Sequence, residues 1–292
     1  MMAFFHAYKF THFAAGGAAQ TQEPGKLSPG QKIGALVFGI SNPRPTNEKL
    51  PAQPFETIRI FSNKEIECWS IKTSPARGTV ILFHGYMGHK SVLLEKAGEL
   101  LKLGYNTLLV DFMGSGGSAG NQTTIGFLEA AEVKSCVDYL KAGGEENIYL
   151  FGTSMGAVAI MKAIDDYRIS PRGIILECPF GSMYETVENR FQSMHIPAFP
   201  MAGLLIFWGG IQNGFWAFGH NPAEYAKRIS CPVVLMYGSK DDKVARKEID
   251  AIFANLQGKK SLKIYAGAGH SNYFDQYQQA WIHDVGDFLS DH

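Results

Sequence analysis

Six short apolar runs constrain the fold of this chain more than any other feature. They are GTVILFH (78–84), YNTLLVD (105–111), NIYLFG (147–152), GIILEC (173–178), PVVLMYG (232–238) and SLKIYAG (261–267). Apolar runs of this length suit strands buried on both faces of a sheet. Helical patterns fill the gaps: SVLLEKAGELLKLG stops at Gly104, and TIGFLEAAEVKSCVDYLKAGG stops at a glycine pair. KVARKEIDAIFANLQGKK and YQQAWIHDVGDFLSDH are two more. Such alternation predicts an α/β chain with a mostly parallel sheet and helices on both faces. Upstream, FETIRIFS and IECWSIKT alternate apolar and polar residues around an NKE turn. They read as an antiparallel edge pair, which brings the sheet to eight strands.

The remaining sequence divides around this pattern. Residues 1–54 read as an N-terminal extension, rich in Gly, Pro, Ala, Gln and Asn between 14 and 54, with KIGALVFGI as a short helix or strand inside it. Residues 55–290 form the regular domain. Within it, residues 181–222 are too long for one crossover and carry Phe199, Phe207, Trp208, Phe215, Trp216 and Phe218. The segment reads as a cap inserted over the carboxyl edge of the sheet, or as an ordinary pair of core helices. The start, MMAFFHAYKFTHFAAGG, is aromatic and too short to span a bilayer. It reads as the stub of a removed anchor, as a helix lying on a surface, or as a packed arm. The first two would place the protein at a membrane surface; the compartment is not legible.

Lys+Arg and Asp+Glu are 27 each, so no electrostatic argument favours nucleic acid as a partner. Cys68, Cys136, Cys178 and Cys231 form no CxxC pair, which argues against a zinc site and suggests buried free thiols.

The stretch YLFGTSMGAVAI (149–160) sets Ser154 between Gly152 and Gly156, where a strand run meets a helical run. A serine hydroxyl attacks a carbonyl only if it is exposed, faces a base and has donors for the developing charge. A sharp strand-to-helix turn supplies exposure, and flanking glycines remove side chains that would collide in it. The N–H of Met155 then lies at a helix N-terminus, where it can donate to an oxyanion.

At these residues the chain resembles the α/β-hydrolase family, over about residues 55–290. It is most similar to the branch of esterases, monoacylglycerol-lipase-like enzymes and serine-aminopeptidase-like proteins. The resemblance implies an acid and then a histidine after two later strands. GSKDDKV fits the family pattern G-x-x-D-x-x-V with Gly238, Asp241 and Val244, which favours Asp241 as the acid over Asp242. AGAGHSNY supplies His270 as the base. In LFHGYMGHKS, His84 and Gly85 shape the family's oxyanion loop and the N–H of Tyr86 is the second donor by resemblance. Gly152 and Gly156 shape the elbow itself. His89 is expected to be exposed.

VDFMGSGGSAGNQTT looks superficially like a dinucleotide loop, but it lacks a good helix opening. The resemblance explains it better as the family's D-x-x-G-x-G-x-S loop, from Asp111 to Ser118. Phe112 and Met113 stand where many relatives carry a basic residue, which leaves the loop's usual contacts open.

The implied activity is that of a serine hydrolase cleaving a carboxylic ester or thioester through an acyl-enzyme, with a small apolar acyl compound as substrate. No cofactor or metal is called for. Acyl transfer, amide or peptide hydrolysis on the same residues, and a non-catalytic binding protein on this fold are the alternatives.

Overall fold

A computed structural model describes residues 1–14 and 28–292. Two short helices come first, α1 (Met2–Thr11) and α2 (Pro29–Phe38), the latter capped by Ser28 and Gln31 bonding each other's backbone. KIGALVFGI is thus a helix over most of its length. The regular strand pattern begins at β1 (Phe55–Phe61) and β2 (Glu65–Ile71), an antiparallel pair.

Then follow β3 (Thr79–Phe83), α3 (Leu94–Lys102), β4 (Asn106–Val110), α4 (Glu129–Ala142), β5 (Ile148–Thr153), α5 (Met155–Tyr167) and β6 (Gly173–Glu177). After β6 come α6 (Met183–Ser193), α7 (Met201–Asn213) and the one-turn α8 (Pro222–Tyr225). The chain ends with β7 (Val233–Gly238), α9 (Arg246–Asn255), β8 (Lys260–Tyr265) and α10 (Tyr273–Ser290). The eight strands form one sheet in the order β1-β2-β4-β3-β5-β6-β7-β8. The pairs β3–β4, β3–β5, β5–β6, β6–β7 and β7–β8 are parallel.

Alternate strand residues feed two cores. Ile81, Phe83, Leu108, Val110 and Leu150 pack with α4, α5 and α9 on one face. Val80, Leu82, Leu109, Tyr149 and Phe151 pack with α3 and α10 on the other. Burial on both faces explains why these strands read as unbroken apolar runs.

Register then places the functional loops. Phe83 lies opposite Gly152, Thr153 opposite Glu177, and Gly238 opposite Tyr265. The carboxyl ends of β3, β5, β6, β7 and β8 therefore share one rim, the edge where open α/β sheets place their ligands.

Several helix boundaries differ from expectation. Helix α4 starts at Glu129, five residues after Thr124. The buried Glu129 carboxylate instead accepts the backbone N–H groups of Thr124 and Gly126 at 2.8 and 3.0 Å, holding Ile125 at φ 58°. These bonds compete with helical ones. Helix α3 starts at Leu94, after a 3-10 turn over Lys90–Leu93. Helix α10 starts at Tyr273, earlier than its pattern, and kinks at Tyr277.

The opening residues form a packed arm. Ala3, Ala7, Thr11 and Phe13 are buried, and Phe4 meets the Trp208 ring edge-on at 5.2 Å. No helix among the described residues is long and apolar enough to cross a membrane. All four cysteines are free thiols; three are buried and Cys231 is partly so.

Candidate active site

The turn between β5 and α5 is as tight as its glycines suggest. Ser154 sits at φ 51° and ψ −112°, a region that a non-glycine residue occupies only under constraint. A Cβ on Gly156 would lie 2.4 Å from the Phe83 carbonyl oxygen, and one on Gly152 would lie 2.5 Å from the Ala157 nitrogen. Neither position has room for a side chain. The Met155 N–H opens α5, so it has no acceptor one turn earlier within the helix.

Three loops meet at this hydroxyl. His270 Nε2 lies 3.0 Å from Ser154 Oγ, and His270 Nδ1 lies 2.8 Å from Asp241 Oδ2. A carboxylate only accepts, so in the neutral ring Nδ1 carries the proton and Nε2 is left to accept from the hydroxyl. The other Asp241 oxygen accepts the Lys243 and Val244 N–H groups at 2.9 Å each, which fixes the carboxylate. Asp242 makes no such contact with His270. Burial opposes a charge on His270, but the neighbouring Cys178 and Asp241 outweigh it and raise its pKa to about 10. A hydroxyl, imidazole and carboxylate in this order can pass a proton from the hydroxyl to the ring as the oxygen attacks a carbonyl.

The loop after β3 lies against the elbow: a Cβ on Gly85 would sit 3.6 Å from Ser154 Cβ. His84 is fully buried. Its Nδ1 donates to Gly85 O at 2.8 Å and its Nε2 accepts the Phe112 N–H at 3.1 Å. Burial, helped by Lys90 and His89 and opposed by Asp111, lowers the His84 pKa to about 4, so the ring is neutral and ties two loops together. The Tyr86 phenol donates to Phe10 O at 2.7 Å and accepts from Asn42 Nδ2, while its ring stacks on Phe10 at 4.6 Å. The N-terminal arm therefore forms part of the site's surroundings. His89, expected to be exposed, is buried and hydrogen-bonded to Ser91 Oγ.

The 111–118 loop is closed on itself. Ser118 Oγ donates to Asp111 O at 2.6 Å and Gly117 N–H donates to Asp111 Oδ2 at 2.8 Å. A Cβ on Gly116 would overlap the Asp111 carboxylate. The basic groups absent at Phe112 and Met113 come from elsewhere. Lys90 bonds Asp111 and Glu67, and Arg44 donates to the carbonyls of Gly116 and Gly120. No local pattern announces either one, because both arrive from distant segments.

Sequence reasoning also missed what stands beneath the elbow. Glu177 O accepts the Ser154 N–H at 2.7 Å. The buried Glu177 carboxylate accepts from Lys96 Nζ at 2.6 Å, Trp281 Nε1 at 2.7 Å and Thr153 Oγ1 at 2.8 Å. A single glutamate at the end of an apolar run was its only trace. Cys178 is the second omission. Its thiol, Asp241 and His270 offer atoms within 4.8 Å of one another, the one metal-capable group of three among the described residues. A metal held there would occupy the same atoms that join His270 to Asp241.

Comparison with known proteins agrees with this architecture. The family described as serine aminopeptidase, S33 (Hydrolase_4) matches residues 74–207, and the dienelactone hydrolase family matches residues 191–284. The chain is 24% identical over 229 residues to the uncharacterized protein YqkD of Bacillus subtilis (strain 168), covering 77% of this chain and 75% of that one. It is 25% identical over 186 residues to the lysophosphatidylserine lipase ABHD12 of Xenopus tropicalis, covering 61% of this chain and 46% of that protein. The esterase Pf2001 of Pyrococcus furiosus superposes with a TM-score of 0.69 at 22% identity, over 85% of this chain and 96% of the esterase. With its eight-stranded sheet and these matches, the chain has the α/β-hydrolase fold.

Proposed function

We propose that the protein is a serine hydrolase that cleaves a carboxylic ester or thioester through an acyl-enzyme. The observation that carries this reading is the unbroken path Asp241–His270–Ser154, with contacts of 2.8 and 3.0 Å. Ser154 Oγ attacks the acyl carbon as His270 Nε2 takes its proton. Asp241 holds the ring and stabilises the imidazolium. The N–H groups of Tyr86 and Met155 receive the negative charge that develops on the acyl oxygen. His270 returns the proton to the leaving alcohol or thiol. Water, deprotonated by His270, then attacks the acyl carbon, and Ser154 leaves with the proton. The 181–222 insertion acts as the cap. It contains a cavity of about 310 Å³ with apolar walls, Ile206, Phe207, Ile211, Phe215, Trp216 and Phe218, whose lining does not include Ser154, Asp241 or His270. The similarity to an esterase and to a lysophosphatidylserine lipase supports ester substrates.

A fluorophosphonate probe tests the nucleophile. Labelling of the wild type that disappears in Ser154→Ala is the expected result, together with a loss of about 10⁴-fold or more in turnover of p-nitrophenyl esters. A folded wild type that neither labels nor turns over any ester sinks the reading in favour of a binding protein. The S33 match favours amide cleavage as a second reading, and an aminoacyl p-nitroanilide series set beside the esters decides between them.

A further inference from the structure

Arg190 on α6 is a partly buried cation that bonds no anion among the described residues. Its Nε is buried without a hydrogen-bond partner. Its guanidinium lies over the Phe10 ring, 5.1 Å from the centroid. Asp242 acts on it from a distance but does not bond it. Arg59, Arg228 and Arg246 are different: each holds a carboxylate at 3.0 Å or less. A half-buried guanidinium with free donors is costly, and a cation–π contact replaces only part of its hydration.

The position of Arg190 is fixed relative to the reaction centre. The adjacent Asn189 donates to Glu248 Oε1 at 2.7 Å and to Lys243 O at 3.4 Å, which ties α6 to the loop carrying Asp241. On the other side, Phe10 stacks on Tyr86, and Gly85 next to Tyr86 packs against Ser154. Arg190 thus stands between the acid loop and the oxyanion loop, separated from the elbow by the Phe10–Tyr86 pair. A planar fork of donors matches the two oxygens of a carboxylate or phosphate.

We propose that Arg190 is a specificity-determining residue that binds an oxyacid anion, a carboxylate or a phosphate, carried by the ester cleaved at Ser154. This rests on the serine-hydrolase reading and deepens it by naming a negatively charged substrate class. Phe10 of the N-terminal arm covers one face of the guanidinium, so that the anion meets it partly shielded from bulk water.

The test compares matched pairs that differ only in the charge. One pair is mono-p-nitrophenyl adipate and its methyl ester; the other is 1-decanoylglycerol 3-phosphate and 1-decanoylglycerol. The expected result is a wild-type preference in kcat/KM of about tenfold or more for the anion in at least one pair. That pair identifies carboxylate or phosphate. Arg190→Met removes the preference, and Arg190→Lys, which keeps the charge but not the fork, restores part of it. A wild type without anion preference in either pair overturns the proposal, as does a preference that survives in Arg190→Met. If Arg190→Met does not fold, the wild-type ratio and its response to Arg190→Lys decide. Failure of the serine-hydrolase reading is distinguishable, because Ser154→Ala would then cleave the neutral esters as fast as the wild type.

Discussion

The elbow after β5 and the insertion between β6 and β7 lie along one rim of the sheet, yet they are built in opposite ways. At the elbow, glycines are packed so closely that added methyl groups would overlap backbone atoms of neighbouring segments. The backbone there is anchored on Glu177, itself enclosed by Lys96, Trp281 and Thr153. In the insertion, Gly203 and Gly209 face open space, and Phe199, Phe207, Ile211 and Trp216 are exposed. The contrast teaches that the elbow is held by packing that admits one geometry, while much of the insertion's surface, Gly210 apart, is left free of such packing. A site can then change its ligand without disturbing its chemistry.

Paired glycine substitutions are the most direct way to break this comparison. Gly156→Ala is expected to cost about 3 kcal/mol or more in urea unfolding, because its methyl group meets the Phe83 carbonyl oxygen at 2.4 Å. Gly209→Ala, on helix α7 with nothing within 4 Å, is expected to be neutral or to stabilise by up to about 1 kcal/mol. Equal losses at both positions would erase the distinction.

A pH profile sharpens the comparison next. His270 must be neutral to accept the Ser154 proton, and its pKa is raised from 6.5 to about 10. The rate constant for acylation is therefore expected to rise with pH through that window. Asp241→Asn withdraws one of the groups that raise the value, so the remaining activity should show its limb at lower pH. A limb at or below 6.5 in the wild type contradicts the environment described here. The same shift carries a stability consequence. A folded-state pKa above the unfolded value means that protonated His270 stabilises the fold below about pH 6.5, and that this contribution disappears as pH rises through about 10.

The smallest effect is expected in the insertion. Trp216 is 67% exposed, so Trp216→Ala should change unfolding free energy by no more than about 0.5 kcal/mol. It should nevertheless alter KM across p-nitrophenyl esters of graded chain length, since Trp216 lines the apolar cavity. A large stability loss with an unchanged chain-length profile would make the residue part of the core.

Much of the fold was legible because burial on both faces writes a strand into sequence as an unbroken apolar run. Each of the six runs became a strand, and the alternating pair upstream became the antiparallel edge. Helix starts were less legible. Thr124 and Gly126 lie within a helical pattern, but the Glu129 carboxylate captured their backbone donors and delayed α4. The site divided in the same way. Ser154, Asp241 and His270 each follow a strand in a short local pattern, and the structure brings all three together. Arg190, Lys90, Arg44, Glu177 and Phe10 have no local pattern, because their significance lies in partners far along the chain.

By itself, then, the sequence determined the strand and helix periodicity and the turn that only small residues permit at 152 and 156, since both are short-range consequences of side-chain size and polarity. The tertiary structure alone decided that an N-terminal arm would pack beside the oxyanion loop, that Lys96 and Trp281 would enclose Glu177, and that Arg190 would lie over Phe10 with no bonded carboxylate among the described residues. Those outcomes depend on which distant surfaces bury one another, and the free energy of that choice is spread over the whole core rather than written at any one position.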